Sequence, residues 1–236
     1  MRQDLLFRPY METRRKIAII VAGGAGTRMG SAIPKQFLDL AGKPVLWHTI
    51  HSFVGAYSDM EIVLVLPEAH FDYVTPWLGE FDTAAPVTLV KGGETRFHSV
   101  KNGLQQVNGP AVVFVHDGVR PLVSTSLIKA CYEAALAHGS AIPVIDMKDS
   151  IRETDGKGNR AVDRERYKII QTPQTFLSEW LLPAFALPYD PLFTDEATVV
   201  ERQGHNIQLV PGEDSNIKIT RPLDLTIAGA LLKDIQ

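Results

Sequence analysis

Ile19 to Gln36 reads IIVAGGAGTRMGSAIPKQ, and its reading decides the fold class. Ile17 to Ile20, with Ala18 among them, then Val21 and Ala22, form an apolar run of the kind expected for a buried strand, and it stops abruptly at Gly23, Gly24 and Gly26. Glycine carries no Cβ, so backbone N–H groups there can turn outward and approach an anion. Arg28 and Lys35 add two positive charges within the same loop, and Pro34 keeps it from running on as helix. A strand, a glycine turn and two cations make a phosphate site, read here as a site for polyphosphate.

Three glycine loops compete for this stretch. A P-loop requires G-x-x-x-x-G-K-[ST], a spacing that does not occur here. A dinucleotide fingerprint would accept Gly24, Gly26 and Gly30 but wants an acid roughly 20 positions on, closing the next strand. No acid lies between Asp39 and Asp59, and Glu61 opens the next apolar run instead of ending it. The third, the nucleotidyltransferase G-G-x-G-T-R-M loop followed by P-K, resembles this stretch closely. A plain strand-to-helix turn would have no use for both Arg28 and Lys35.

At 236 residues and 45% hydrophobic, the chain can bury a full core as one large or two small domains. A charged fraction of 22% and a net charge of −3 argue against a nucleic-acid surface and favour a small partner. The single cysteine, Cys131, excludes an internal disulfide framework and a zinc site built on several thiolates, and its apolar helix face marks it as a buried thiol. No apolar run approaches the roughly 18 residues of a membrane span. Met1 to Arg15 lacks an apolar core of the signal-peptide type and is read as an N-terminal extension, with the cytoplasm as default location.

Along the chain, a short strand is expected at Gln36 to Leu40 and a helix opening at Pro44, on which His48 and His51 lie three apart without a third metal ligand nearby. Glu61 to Leu66, Val87 to Val90 and Val112 to Val115 read as strands, and Ala69 to Leu78 as a helix broken by Pro76. Ser124 caps a helix through about His138, and Ala141 to Ile145 is a further strand. Strands alternating with helices predict an α/β fold, a Rossmann-like, mostly parallel sheet with helices on both faces. Ligands of such sheets bind beyond the carboxyl ends of the strands, where Gly23 to Gly26, Gly92 to Arg96 and His116 to Pro121 should converge. From Asp146 to Lys168 charges of both signs crowd together around Asp155-Gly156-Lys157-Gly158, which predicts a projecting β-hairpin arm that needs something to lean on, most simply a second subunit. Ile169 to Phe176 returns to the body, helical stretches follow around Trp180 to Phe185 and Asp195 to Gln203, with Thr194-Asp195-Glu196 read as the cap of the second, and Ile207 to Val210 is a strand before a last helix, Leu223 to Leu232.

The ordered set of motifs resembles the 2-C-methyl-D-erythritol 4-phosphate cytidylyltransferases, CTP-using enzymes of the non-mevalonate isoprenoid pathway. It comprises the opening loop with its P-K-Q, G-G-x-x-R-x-x-S-V at Gly92 to Val100, H-D-x-x-R-P at His116 to Pro121, V-D-R and T-P-Q between Val162 and Gln174, T-D-E-A at Thr194 to Ala197 and N-I-K-I-T-R-P at Asn216 to Pro222. The resemblance implies one nucleotidyltransferase domain over 16–236, with 146–168 as an arm for dimerisation and substrate and 1–15 as the extension. It implies that the backbone of Ala22, Gly23, Gly24 and Gly26 cradles a triphosphate with Arg28 and Lys35 upon it, that Gly93, Glu94 and Ser99 read cytosine, and that Asp117 and Gly118 serve the ribose and a magnesium ion. Lys218 would meet both reacting phosphates, and Arg120, Thr172 and, from the partner's arm in a homodimer, Ser150 and Arg164 would meet the acceptor. Departures are Glu94 where aspartate is common, Gly118 and Val119 in place of two alanines, Ser150 in place of threonine, and an arm offset by two residues.

The implied reaction has a phosphate monoester attack the α-phosphorus of CTP. Such a monoester, with a second pKa near ~6, is already largely a dianion at neutral pH, so no general base is needed and His116 is read as orienting its loop. The obstacle is charge, because like charges ~4 Å apart repel by several kcal/mol even at an effective dielectric of ~20. Arg28, Lys35, Lys218 and magnesium, held by Asp117 with Asp214 as a weaker choice, would offset it. The same nucleotide motifs would serve a pentitol-phosphate cytidylyltransferase acting on ribitol 5-phosphate, and a non-catalytic nucleotide-sensing subunit is a remoter alternative that the retention of Lys218 opposes. Neither a nucleic acid nor a membrane is expected as a partner.

Overall fold

The computed structural model describes residues 14–24, 33–81, 83 and 86–235. In chain order the elements are β1 (Arg15–Val21), β2 (Asp39–Leu40), β3 (Lys43–Pro44), α1 (Val45–Ala56), β4 (Met60–Leu66), α2 (Phe71–Leu78), β5 (Thr88–Lys91), α3 (Arg96–Leu104), β6 (Ala111–Asp117), α4 (Thr125–His138) and β7 (Ser140–Asp146). They continue as β8 (Arg152–Thr154), β9 (Asn159–Ala161), β10 (Lys168–Ile170), β11 (Gln174–Leu177), α5 (Ser178–Phe185), α6 (Glu196–Glu201), β12 (Leu209–Pro211) and α7 (Pro222–Ile235).

The apolar run before the glycine turn is the middle of the sheet. β1 pairs in parallel with β4 on one side and β6 on the other, and the order across the sheet is β10-β7-β11-β6-β1-β4-β5, with β12 parallel to β7. A strand buried on both faces must be apolar at every position, since successive side chains point opposite ways. Ala18 and Ile20 accordingly enter one core with Leu46, Ile50 and Phe53 of α1 and Leu127, Ile128 and Cys131 of α4. Ile17 and Ile19 enter the other with Phe97, Val100 and Leu104 of α3 and Leu181, Ala184 and Phe185 of α5. Helices thus cover both faces, as expected. A third, smaller core joins Leu40, Val45, Val119, Leu122, Ile219 and Ala228, tying α7 to the segment that carries Lys218.

The structure departs from the expectations in two places. Lys35–Phe37 is a 3-10 turn, with Phe37 N–H donating to the Pro34 carbonyl at 2.9 Å, and only Asp39–Leu40 is strand. The turn lets the Gln36 side chain reach in and donate to the Ala22 carbonyl at 2.9 Å. Pro76 lies inside α2 and does not break it, because the one backbone bond it forfeits falls in the helix's last turn. Ile169 to Phe176 returns to the body as expected, through the ends of β10 and β11, and β11 runs antiparallel between β6 and β7. The expected hairpin residues form the antiparallel pair β8 and β9, all six exposed, closed by Asp155 accepting from the Lys157 and Gly158 N–H groups. Ser124 caps α4 by accepting from Leu127 N–H. Cys131 is buried, its thiol pushed up to about 12 by burial. His48 bonds the Leu40 carbonyl at 2.6 Å and His51 stacks on Trp47, so the two do not form a metal pair.

α3 lies close enough to the sheet that only glycine fits at 103. A Cβ there would stand 2.7 Å from Ile19 Cγ2 and 3.0 Å from Val65 Cγ2, both on β-branched side chains with little freedom to move. Gly103→Ala should therefore destabilise the fold by about 1–3 kcal/mol through overpacking, more than the ~1 kcal/mol that alanine gains in helix propensity. Urea denaturation followed by tryptophan fluorescence measures the balance; a raised midpoint would mean that the sheet yields.

Candidate functional site

The parallel strands β1, β4, β5 and β6 all end on one side, and the loops that follow meet in a pocket lined by Val21 to Gly24, Lys35, Gln36, Gly93 to Arg96, Ser99, Asp117, Val119 and Lys218. Of the residues singled out from sequence, it gathers Ala22, Gly23, Gly24, Lys35, Gly93, Glu94, Ser99, Asp117 and Lys218. Gly26 and Arg28 lie outside the described residues.

Each wall is held by local bonding. Thr95 caps α3 through His98 N–H, and the Ser99 hydroxyl accepts from Gly93 N–H at 3.0 Å and donates to the Thr95 carbonyl at 3.0 Å. The loop closes so tightly that a Cβ on Gly93 would fall 2.4 Å from His98 Cβ and 2.9 Å from the His98 carbonyl carbon. Gly118 is buried behind the wall: its N–H donates to the Val21 carbonyl and its carbonyl accepts from Thr49. Lys35 Nζ donates to the Ile219 carbonyl at 3.1 Å, and Ile219 N–H donates to the Val119 carbonyl at 2.9 Å, which seats the Lys218 segment against the end of β6.

Asp117, the last residue of β6, is the electrostatic centre. Lys218 Nζ lies 2.9 Å from Oδ2, Arg96 Nε 3.3 Å from Oδ1 and Arg120 Nε 3.6 Å from Oδ2. Burial alone would raise this carboxyl, but Arg96, Lys218 and Arg120 together hold it well below the usual carboxylate range. Behind it, His116 Nε2 faces the Arg120 carbonyl at 3.2 Å and must carry the proton, so Nδ1 accepts from the Thr172 hydroxyl at 3.0 Å, whose oxygen in turn accepts from Asp117 N–H at 3.1 Å. Thr172 and His116 therefore bond the Asp117 loop from beneath, and burial pushes the His116 imidazole down to about 3, leaving it neutral. Arg120 is also buried, donating to the Asn216 carbonyl at 2.7 Å.

The remaining expected residues lie elsewhere. Ser150 and Arg164 are exposed at the hairpin, where Arg164 donates to the Lys148 carbonyl at 2.6 Å. Asp214 pairs with Lys148 at 2.6 Å on the surface and is not among the residues lining the pocket. Among the described residues no group of three or more histidines, cysteines and carboxylates could hold a metal ion by itself, and no helix is long and apolar enough to cross a membrane. Sequence reasoning missed Arg96, which lines the pocket, and Glu196, which forms an ion pair with it from α6. Asp195 is the cap, accepting from Thr198 N–H, whereas Glu196 is buried. The available signal was helical spacing, which puts Glu196 on the same face as Val199 and Val200.

The IspD family model, described as 2-C-methyl-D-erythritol 4-phosphate cytidylyltransferase, matches residues 16–234. The Bacteroides thetaiotaomicron protein of that name is 47% identical over 218 residues, covering 92% of this chain and 100% of the relative. The Phocaeicola vulgatus protein of that name is 49% identical over 214 residues, covering 91% and 98%. Among solved structures, 4-diphosphocytidyl-2C-methyl-D-erythritol synthase from Anaerococcus prevotii superposes with a TM-score of 0.80 at 28% identity, covering 93% of this chain and 96% of that one.

The neutral His116 has a consequence for acid stability. Its folded pKa lies below the ordinary 6.5, so between those values the unfolded chain binds the extra proton, and stability falls as pH drops through that window. Asp117 acts in a lower window, its stabilisation being lost as pH falls below its ordinary 3.8. Lowering pH from ~6.5 to ~4.5 should cost the wild type about 2 kcal/mol more than His116→Asn, read from urea midpoints at the two pH values. Equal losses would mean that His116 is protonated in the fold.

Proposed function

Because the chain belongs to the 2-C-methyl-D-erythritol 4-phosphate cytidylyltransferase family, we propose that it transfers CMP from CTP to the phosphate of 2-C-methyl-D-erythritol 4-phosphate, giving 4-diphosphocytidyl-2-C-methyl-D-erythritol and pyrophosphate. What carries the reading at the site is the meeting of the glycine turn, Lys35, the Gly93 loop, Asp117 and Lys218 in one pocket at the carboxyl ends of the parallel strands.

In this reading the backbone at Ala22 to Gly24, of which Ala22 N–H already donates to the Val65 carbonyl at 2.8 Å, lines the triphosphate site, with Lys35 and Arg28 as its cations. The Gly93 to Ser99 loop takes the base: cytosine presents a donor at N4 where uracil presents an acceptor, so an acceptor from Glu94 or the Gly93 backbone favours CTP over UTP. An acceptor-phosphate oxygen forms the new bond to the α-phosphorus while the bond to the bridging oxygen of the leaving pyrophosphate breaks, and the electron pair departs with pyrophosphate. The attacking phosphate arrives as a dianion, which leaves the neutral His116 no proton to move. Lys218, on a flexible stem whose side chain is 40% exposed, can leave Asp117 for the reacting phosphates. Asp117, ionised and oxygen-bearing, would hold magnesium beside phosphate oxygens, since magnesium uses one or two carboxylates plus phosphate. When bound, the ion offsets charge on the triphosphate.

Arg164 and Ser150 belong to acceptor recognition across a homodimer. Supporting the dimer are a two-stranded hairpin that is marginal alone and the exposed Tyr167, Ile169 and Ile170 beside it. Light scattering at micromolar concentration should give twice the chain mass, and a fully active monomer would refute this assembly.

Pyrophosphate release from CTP, measured in parallel with two acceptors, tests the activity. Methylerythritol phosphate should exceed ribitol 5-phosphate by at least about tenfold in kcat/KM, the worth of one good contact, and Arg164→Ala should damage acceptor use while sparing CTP binding. A preference for ribitol 5-phosphate would move the chain to the pentitol-phosphate reaction.

A further inference from the structure

Glu196 is 1% exposed. Its Oε1 accepts from Arg96 Nη1, and its Oε2 is buried without a hydrogen-bond partner. A buried carboxylate is expensive unless its partner is held firmly, and the fold holds this one from two sides. Gln174 of β11 donates to Asp195 Oδ2 at 2.9 Å and accepts from Ala197 N–H at 2.8 Å, so the start of α6 is fixed to the sheet. On the other side, the Arg96 guanidinium uses Nη1 for Glu196 and Nε for Asp117, spanning two carboxylates that belong to different elements. Glu196 and Asp117 keep it charged against the effect of burial. Arg96 is also the first residue of α3, directly after the Gly93 to Thr95 loop that walls the pocket.

We propose that Glu196 is a positioning residue for nucleotide binding, acting through Arg96 to fix both the Gly93 loop and the Asp117 carboxylate. The proposal rests on the cytidylyl-transfer reading and deepens it. Without Glu196, the guanidinium is free to turn wholly onto Asp117, which already carries Arg120 and Lys218, and the start of α3 loses its anchor on α6. Charge alone predicts the opposite result. Among the described residues, the ion-pair cluster around Asp117 contains three cations, Arg96, Arg120 and Lys218, and two carboxylates, Asp117 and Glu196; deleting a carboxylate makes it more positive and should tighten a triphosphate.

The experiment is calorimetric binding of CTP with magnesium to wild type, Glu196→Ala, Glu196→Gln and Arg96→Lys, with steady-state kinetics alongside. Lysine has one ammonium where arginine has a planar fork, so it cannot span both carboxylates. Expected are a CTP Kd raised about tenfold or more in Glu196→Ala and Arg96→Lys and about threefold in Glu196→Gln, with the acceptor KM unchanged in each. Adding Glu196→Gln to Arg96→Lys should raise Kd no further, because the two residues act in series. Unchanged or tighter CTP binding in Glu196→Gln overturns the proposal even if Glu196→Ala fails to fold, and so do additive effects in the double variant or an equal rise in acceptor KM. Failure of the wild type itself to bind CTP would instead overturn the cytidylyltransferase reading.

Discussion

The buried carboxylate of Asp117 is the constraint on which the site depends. A lone carboxylate at the end of a central strand would be protonated or expelled. Here Arg96 at the start of α3, Arg120 in the loop after β6 and Lys218 ahead of α7 each approach it within 3.6 Å. Three segments far apart in sequence are thereby drawn to one point, and the charge that would destabilise an isolated strand end becomes what aligns the walls. The polar groups beneath it are neutral and paired: Thr172 and His116 complete a hydrogen-bond chain from Asp117 N–H to the Arg120 carbonyl. A neutral platform under a charged cluster keeps the charge at the pocket.

This placement follows from the sheet. β1 is apolar on both faces because helices pack on both, and its in-register pairing with β4 and β6 sets Val21, Val65 and Asp117 side by side. Parallel strands that end together present their following loops together, so the Gly23, Gly93 and Asp117 loops start as neighbours, and contacts such as Arg96 to Asp117 then lock them.

How much of this was legible in the sequence depended on whether the information was local. β1, the Ser124 cap and the turn at Asp155 to Gly158 are written within a few residues, and each took the form expected. The convergence of the glycine loops also followed, since alternation of strands and helices implies a parallel sheet. The antiparallel entry of β11 between β6 and β7 was not readable, because Ile169 to Phe176 looks the same whichever neighbour it joins. Glu196 was hidden by its neighbour: Asp195 satisfied the expectation of a helix cap, and the acid behind it was counted with the cap although its spacing from Val199 and Val200 turns it inward. Pro76 and the 3-10 turn at Lys35 misled in the same way, a local preference giving way to what surrounds it, the end of a helix in one case and a buried Gln36 bond in the other.

The pairing of β10 with β7 carries an implication for how this chain can change. Asp146 and Lys168 are direct partners across that ladder, so everything between them leaves and re-enters the sheet through adjacent positions. Closing such an excursion depends only weakly on its length, each doubling adding roughly 0.6 kcal/mol. Residues 147–167 are therefore insulated from the core: their length can change without shifting a strand's register, while the Gly93 and Asp117 loops, each running from a strand of the parallel sheet into a helix, have no such latitude. The fold thereby separates a part whose length is free from a part whose geometry the sheet sets.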